Sequence, residues 1–174
     1  METDLPVIYL HQGEYHYSNK PAIVVTVLGS CISITMFNAR LGVSVITHCQ
    51  MPVCNTEREM CSDCGNHFRY VDCSISKLAE FFSRFNITPE EIEVKVFGGA
   101  DVLPEAQGSR RLNSIGRQNI KTATEALKNA GFEIRSSDTG GVNGRKIFFF
   151  THTGDVYMTK LKNNMDVCST AAQK

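Results

Sequence analysis

The chain has 174 residues, with 18 basic residues balanced by 18 acidic ones, and seven cysteines. That length suits one compact domain with a substantial core. Balanced charge without a long basic run excludes a nucleic-acid footprint, and no stretch approaches the roughly 20 apolar residues of a membrane span. An odd cysteine count argues against a disulfide scaffold. The start, Met1-Glu-Thr-Asp-Leu-Pro6, lacks the basic opening and apolar run of a signal peptide. The expectation is therefore a cytoplasmic protein with reduced thiols, no nucleic-acid partner and no membrane insertion.

Residues 1–20 are polar after a short apolar start and read as an edge strand and loop, with His11 and His16 at the surface. Pro21 to Val25 forms a short extended segment leading into Thr26-Val-Leu-Gly-Ser-Cys31. The alternating run Ile32 to Phe37, a polar break, and the run Gly42 to His48 read as a β-hairpin. If residues 38 to 41 reverse the chain, Ile34 faces Val45, Ser33 faces Ile46 and Cys31 faces His48. Directly opposed residues lie roughly 4.5–5.5 Å apart on one face, so this register brings a thiol to an imidazole.

Pro52 ends the strand pattern. A loop at 53–73 follows, holding Cys54, Cys61, Cys64, His67 and Cys73. Ile75, Leu78, Ala79, Phe82 and Phe85 recur at three and four, predicting a helix over 74–86 capped by Asp72 or Ser74. Ile92 to Phe97 alternates as a strand ending at Gly98-Gly99. A second helix is predicted from Ser114 or Gly116 to Ala130, with Ile120, Ala123, Leu127 and Ala130 inward and Gly131 as its C-cap. Phe132 to Arg135 is a short strand, Asp138 to Gly141 a turn, and Lys146 to Phe150 and Val156 to Leu161 a second hairpin. This order predicts an α/β (or α+β) fold: a layered single domain whose substantially antiparallel mixed sheet packs against two main helices.

Cys31 has the surroundings of a nucleophile. It opens a strand beside Gly29 and Ser30, and its own N–H with a neighbouring one can stabilise an oxyanion. His48 is placed to take the thiol proton and return it to a leaving group. A third group must hold the imidazole; Thr26 and Ser33 are the nearby hydroxyls. The bland alternative is a buried, inert thiol.

Thr26-Val-Leu-Gly-Ser-Cys31, with His48-Cys-Gln-Met-Pro52 seventeen residues on, resembles the chemoreceptor glutamine deamidase family, CheD. Lys95-Val-Phe-Gly-Gly-Ala100, Ile115-Gly-Arg-Gln-Asn119, and Gly140-Gly141 followed by Gly144-Arg145 extend the resemblance in order over roughly residues 20–160. The resemblance implies a deamidating-toxin type of layered fold and hydrolysis of receptor glutamines to glutamate and ammonia. It further implies Cys31 as nucleophile, His48 as general base and Thr26 as the residue orienting it. Methyl-accepting chemotaxis receptors would be the protein substrate, with a CheC-type phosphatase as regulatory partner, and some relatives also cleave receptor methyl esters. The chain departs from the family pattern at Ser44, where glycine is frequent, and at Met51, where leucine is common. The catalytic domain would span 21–162, with a C-terminal tail at 163–174.

No cofactor is required for this chemistry. The cysteine-rich loop raises a separate candidate, structural zinc. Cys61-x-x-Cys64 is half of a zinc-knuckle spacing, joined by Cys54 and by His67, Cys73 or Cys49 as a fourth ligand; incidental or redox-active thiols are the alternatives. Without catalysis, an adaptor for the receptor or the phosphatase, or a small metal-binding structural domain, remains the other reading.

Overall fold

Short β-branched runs between glycine turns become strands, and the two stretches of three-and-four periodicity become the main helices. The computed structural model describes residues 4–54, 66–102 and 114–161. Its strands are β1 (Val7–Tyr9), β2 (Tyr15–Ser18), β3 (Ile23–Leu28), β4 (Ile32–Asn38), β5 (Val43–Thr47), β6 (Glu93–Gly98), β7 (Ile134–Thr139), β8 (Arg145–Phe150) and β9 (Val156–Lys160). The helices are α1 (Val71–Ser83) and α2 (Ile115–Asn129).

The layered α/β arrangement with two helices is present, and the strands divide between two sheets. One runs β1-β3-β8-β9, the other β2-β5-β4-β6-β7. Alternation along β4, β5 and β6 assigns their two faces. Ile32, Ile34, Met36, Val43, Val45, Val94 and Val96 meet Ile75, Leu78 and Phe82 of α1 and Ala123 and Leu127 of α2. From the opposite face, Ile46 and Phe97 meet Val24, Leu28, Ile147 and Phe149 of the four-stranded sheet. The five-stranded sheet is thus the middle layer. Among the described residues no helix is long and apolar enough to cross a membrane.

The hairpin register differs from expectation by two residues. Asn38 belongs to β4 and pairs with Val43, so the reversal occupies residues 39–42. Asn38 accepts the Leu41 N–H on its side chain and donates to the Glu91 carbonyl, which fixes it as the last strand residue. Met36 then pairs with Val45, and Ile32 bridges Cys49. Ser33, not Cys31, stands opposite His48. A two-residue shift keeps every side chain on its face, whereas a shift of one would have reversed them. Cys31 and His48 become diagonal neighbours, roughly 7–8 Å apart between backbones.

Other boundaries also moved for tertiary reasons. Helix α1 starts at Val71 because the carbonyls of Met51 and Pro52 accept the Val71 and Asp72 N–H groups; Tyr70 is its N-cap, without a side-chain cap. It ends at Ser83, so Phe85 lies past the helix and is half exposed. Ser136 to Thr139 extend β7 through the expected turn by pairing in parallel with β6, where an edge position tolerates polar side chains. His16 is half-buried, with Nε2 unpartnered among the described residues.

Candidate active site

Strand β3 lies in one sheet and β4 in the other, so Gly29-Ser30-Cys31 crosses between them. All three carbonyls of the crossing are held. The Gly29 carbonyl accepts the Ala100 N–H at 2.8 Å, and the Cys31 carbonyl accepts the Gly99 N–H at 2.8 Å. Asn119 Nδ2 donates to the Ser30 carbonyl at 2.8 Å. The N–H groups of Ser30 and Cys31 have no backbone partner among the described residues. Carbonyls held away and amides left over are what an oxyanion hole needs. Gly98 makes the arrangement possible. Its φ is +112°, and a Cβ there would lie 2.2 Å from the Cys31 carbonyl oxygen.

His48 is 2% exposed and Cys31 8%. Cys31 belongs to the inter-sheet core with Ile46, the face that also carries His48. Thr26, on β3 of the facing sheet, approaches the imidazole: its Oγ1 lies 2.7 Å from His48 Nδ1 and 2.8 Å from the Leu10 carbonyl oxygen. These two contacts set the tautomer. A carbonyl only accepts, so the single hydroxyl proton of Thr26 goes to Leu10, and the hydroxyl oxygen accepts from Nδ1–H. The lone pair of the neutral ring is left on Nε2, which is buried without a partner among the described residues. Residues 13 and 14 hold the backbone, since the His48 carbonyl accepts the Gly13 N–H and the His48 N–H donates to Glu14.

Both reactive groups favour their neutral forms. Burial pushes the Cys31 thiol up from 9.0, partly offset by its own backbone N–H. Burial pushes the His48 imidazole down from 6.5, opposed by the Leu10 carbonyl; His11 lowers it further and Glu14 raises it. Such a pair is suited to transferring the thiol proton during attack, and not to resting as a thiolate–imidazolium pair.

Two further residues brace the site. Asn119, fully buried on α2, donates to Gln50 O at 3.1 Å as well as to Ser30 O, tying the Gly29–Cys31 crossing to the segment beyond His48. Its inward position in a helical period was the only sequence signal. Arg145, 2% exposed, donates to the carbonyls of Gly98 at 2.7 Å and Gly140 at 2.8 Å, and pairs with Asp138 at 2.7 Å. An arginine opening a strand predicts none of that.

Of the metal candidates, Cys49 stands apart from the cysteine-rich loop. Cys49 Sγ faces the helix-side core, 3.2 Å from Ser74 Oγ and 3.5 Å from Thr47 Oγ1. Burial pushes its thiol up to about 11. Alternation sends it away from His48, so it does not couple the cysteine-rich loop to the imidazole. Asp72 accepts the backbone N–H groups of both Cys54 and Cys73, and His67 lies in a 3-10 turn before α1. Among the described residues no three His, Cys, Asp or Glu side chains form a metal-holding group; Cys61 and Cys64 lie outside those residues, as does the expected tail.

A family model described as CheD chemotactic sensory transduction matches residues 54–160, more than half of the chain. The chain belongs to the CheD family. A probable chemoreceptor glutamine deamidase CheD 2 of Geobacter sulfurreducens is 42% identical over 157 residues, 90% of this chain and 91% of that protein. A probable chemoreceptor glutamine deamidase CheD of Oleidesulfovibrio alaskensis is 39% identical, covering 92% of this chain and 74% of its own. One of Thermococcus kodakarensis is 31% identical, covering 87% and 91%. The family model begins beyond Cys31 and His48. The Geobacter similarity spans too much of the 174 residues for either to fall outside it.

Proposed function

We propose that the protein is a protein-glutamine deamidase of chemotaxis receptors, with Cys31 as nucleophile, His48 as general base and acid, and Thr26 orienting the imidazole. The observation that carries this reading is the Thr26–His48 contact at 2.7 Å, which leaves the Nε2 lone pair free to accept a proton on an imidazole that lies on the same sheet face as Cys31. Membership of the CheD family supplies the substrate class.

The chemistry follows from those groups. Cys31 Sγ attacks the carboxamide carbon as its proton passes to His48 Nε2. The tetrahedral oxyanion takes the N–H groups of Ser30 and Cys31. Nε2–H then protonates the departing nitrogen, the C–N bond breaks, and ammonia leaves a thioester. Water, deprotonated by the same nitrogen, cleaves the thioester to glutamate. The cycle runs through protein groups and water alone. A receptor methyl ester would react by the same route with methanol as leaving group, which makes ester hydrolysis an accessory activity. The receptor's cytoplasmic part would be the substrate, and a CheC-type phosphatase the regulatory partner.

Mass spectrometry of receptor incubated with the enzyme tests this directly. Wild type is expected to add about one mass unit per deamidated glutamine, as amide NH2 becomes OH. Cys31→Ala and His48→Ala should leave the mass unchanged and release no ammonia. Receptor binding by wild type and both variants, with no mass change in any sample, would favour the adaptor instead.

A further inference from the structure

Thr26 accounts for one of the two hydroxyls near the imidazole. Ser33 is the other. It is completely buried, and its hydroxyl has no partner among the described residues. The shifted register places it opposite His48, two residues beyond Cys31 on the same strand and face. Ile32 and Cys49 exchange both backbone hydrogen bonds, so by register positions 33 and 48 fall where a regular ladder would have the other kind of antiparallel pair. In that kind the backbones are separated by roughly 4.5 Å and the side chains approach most closely. Between this pair and the regular ladder at Thr35–Ile46, the Ile34 N–H donates to the Thr47 hydroxyl at 3.3 Å, so a side chain intervenes in the ladder beside the pair.

Two buried polar atoms, Ser33 Oγ and His48 Nε2, therefore share one face without a protein partner. Buried polar groups are almost always bonded, and burying them unbonded is costly. Neutral Nε2 only accepts; a serine hydroxyl donates and accepts. A water molecule fits both, donating one hydrogen to Nε2 and bonding Ser33 with its oxygen. Thr26 cannot replace Ser33 here, because its proton is committed to Leu10 and its oxygen to Nδ1.

We propose that Ser33 is a catalytic residue for the second half-reaction: its hydroxyl and His48 Nε2 hold the water that hydrolyses the Cys31 thioester. The inference rests on the deamidase reading and extends it. The water oxygen bonds to the acyl carbon while its proton passes to Nε2. The oxyanion then collapses, the C–S bond breaks, and Nε2–H returns its proton to the departing sulfur. The acid formed ionises to glutamate. Ammonia leaves from the Nε2 side, so water entering there approaches the same face of the acyl carbon. The first half-reaction asks nothing of Ser33, because it consumes no water: Nε2 takes the thiol proton and passes it to the departing nitrogen.

That asymmetry is the test. In rapid mixing of the full chain with receptor, Ser33→Ala is expected to release about one ammonia per enzyme at the wild-type rate and then turn over roughly 10- to 100-fold more slowly. KM should fall with kcat, leaving kcat/KM unchanged. The enzyme–receptor thioester should accumulate by mass spectrometry, and hydroxylamine, which attacks thioesters without the bound water, should restore turnover in this variant more than in wild type. Ser33→Thr, which keeps the hydroxyl, should deacylate within roughly threefold of wild type. Unchanged kcat in Ser33→Ala overturns the assignment, as does an equal loss of both phases, which would mark a structural role. A folded Ser33→Thr that accumulates thioester overturns it even where the alanine variant fails to fold. Absence of ammonia from wild type defeats the deamidase reading itself, and ammonia from wild type with an unaltered Ser33→Ala defeats only the water site.

Discussion

His48 carries a titration whose direction is set by burial. Its imidazole is pushed below 6.5 in the folded protein, so the ring remains neutral in mildly acidic solution. The acid limb of kcat/KM should have its midpoint below 6.5; a midpoint above 6.5 would contradict the burial argument. Cys31 is pushed above 9.0, so alkylation of the free enzyme by iodoacetamide should keep accelerating as pH rises through 9 before it levels off. A reaction already at its plateau at pH 7 would mean a thiolate that this environment does not support. Thr26→Val keeps the shape but loses the acceptor for Nδ1–H. It should lower kcat by roughly tenfold or more, part of the 10²–10⁴ that acid–base catalysis contributes, and Thr26→Ser should restore most of it. Equal activity of the valine variant would remove Thr26 from the machinery.

At the scale of elements, the site is made by one crossing segment and the two pieces that grip its carbonyls: Gly99-Ala100 just past β6 and helix α2. Asn119→Ala leaves two carbonyls without their side-chain donor. Each should cost about 1–3 kcal/mol where burial denies it water. Urea unfolding should show a lower midpoint with an unchanged slope, together with reduced activity. A variant as stable and active as wild type would show that the crossing holds itself. Gly98→Ala is more severe, because its Cβ would fall 2.2 Å from the Cys31 carbonyl in a backbone conformation that favours glycine. Soluble, fully active Gly98→Ala would contradict the close approach. The hairpin shows how legible such elements are in sequence. Alternation gave both strands and the shared face of Cys31 and His48. The pairing partner depended on whether Asn38 ended the strand or began the turn, and its side-chain bonds to Leu41 and Glu91 decided that.

For the whole molecule, the inter-sheet layer is both core and site. Phe149 is fully buried there, and Phe149→Ala should destabilise by about 3–5 kcal/mol, read from chemical unfolding. Activity should survive in the folded fraction; selective loss of activity without loss of stability would contradict a packing role. The layer also links stability to pH. A histidine with a depressed folded pKa binds fewer protons folded than unfolded below 6.5, so its stabilising contribution is complete above 6.5. That contribution is lost as pH falls through the folded pKa. Removing the imidazole in His48→Gln should flatten this part of the curve, and an unchanged slope between mildly acidic and neutral pH would exclude His48 as its source.

The sequence by itself determined the periodicities: two helices, the alternating strands, the face shared by Cys31 and His48, and the glycines that allow β6 to approach the crossing. Those follow from local backbone geometry and from residue types that tolerate only certain conformations. It did not determine that the strands divide into two sheets, that Thr26 meets His48 across the gap between them, or that Leu10 claims the Thr26 proton. Nor did it determine that Ser33 faces the imidazole, or that Asn119 and Arg145 hold the carbonyls around Cys31. Each of these is a contact between segments far apart in the chain. Hydrogen-bond partners of that kind are chosen by which buried donor and acceptor the packed layers bring together, and no local pattern records the choice.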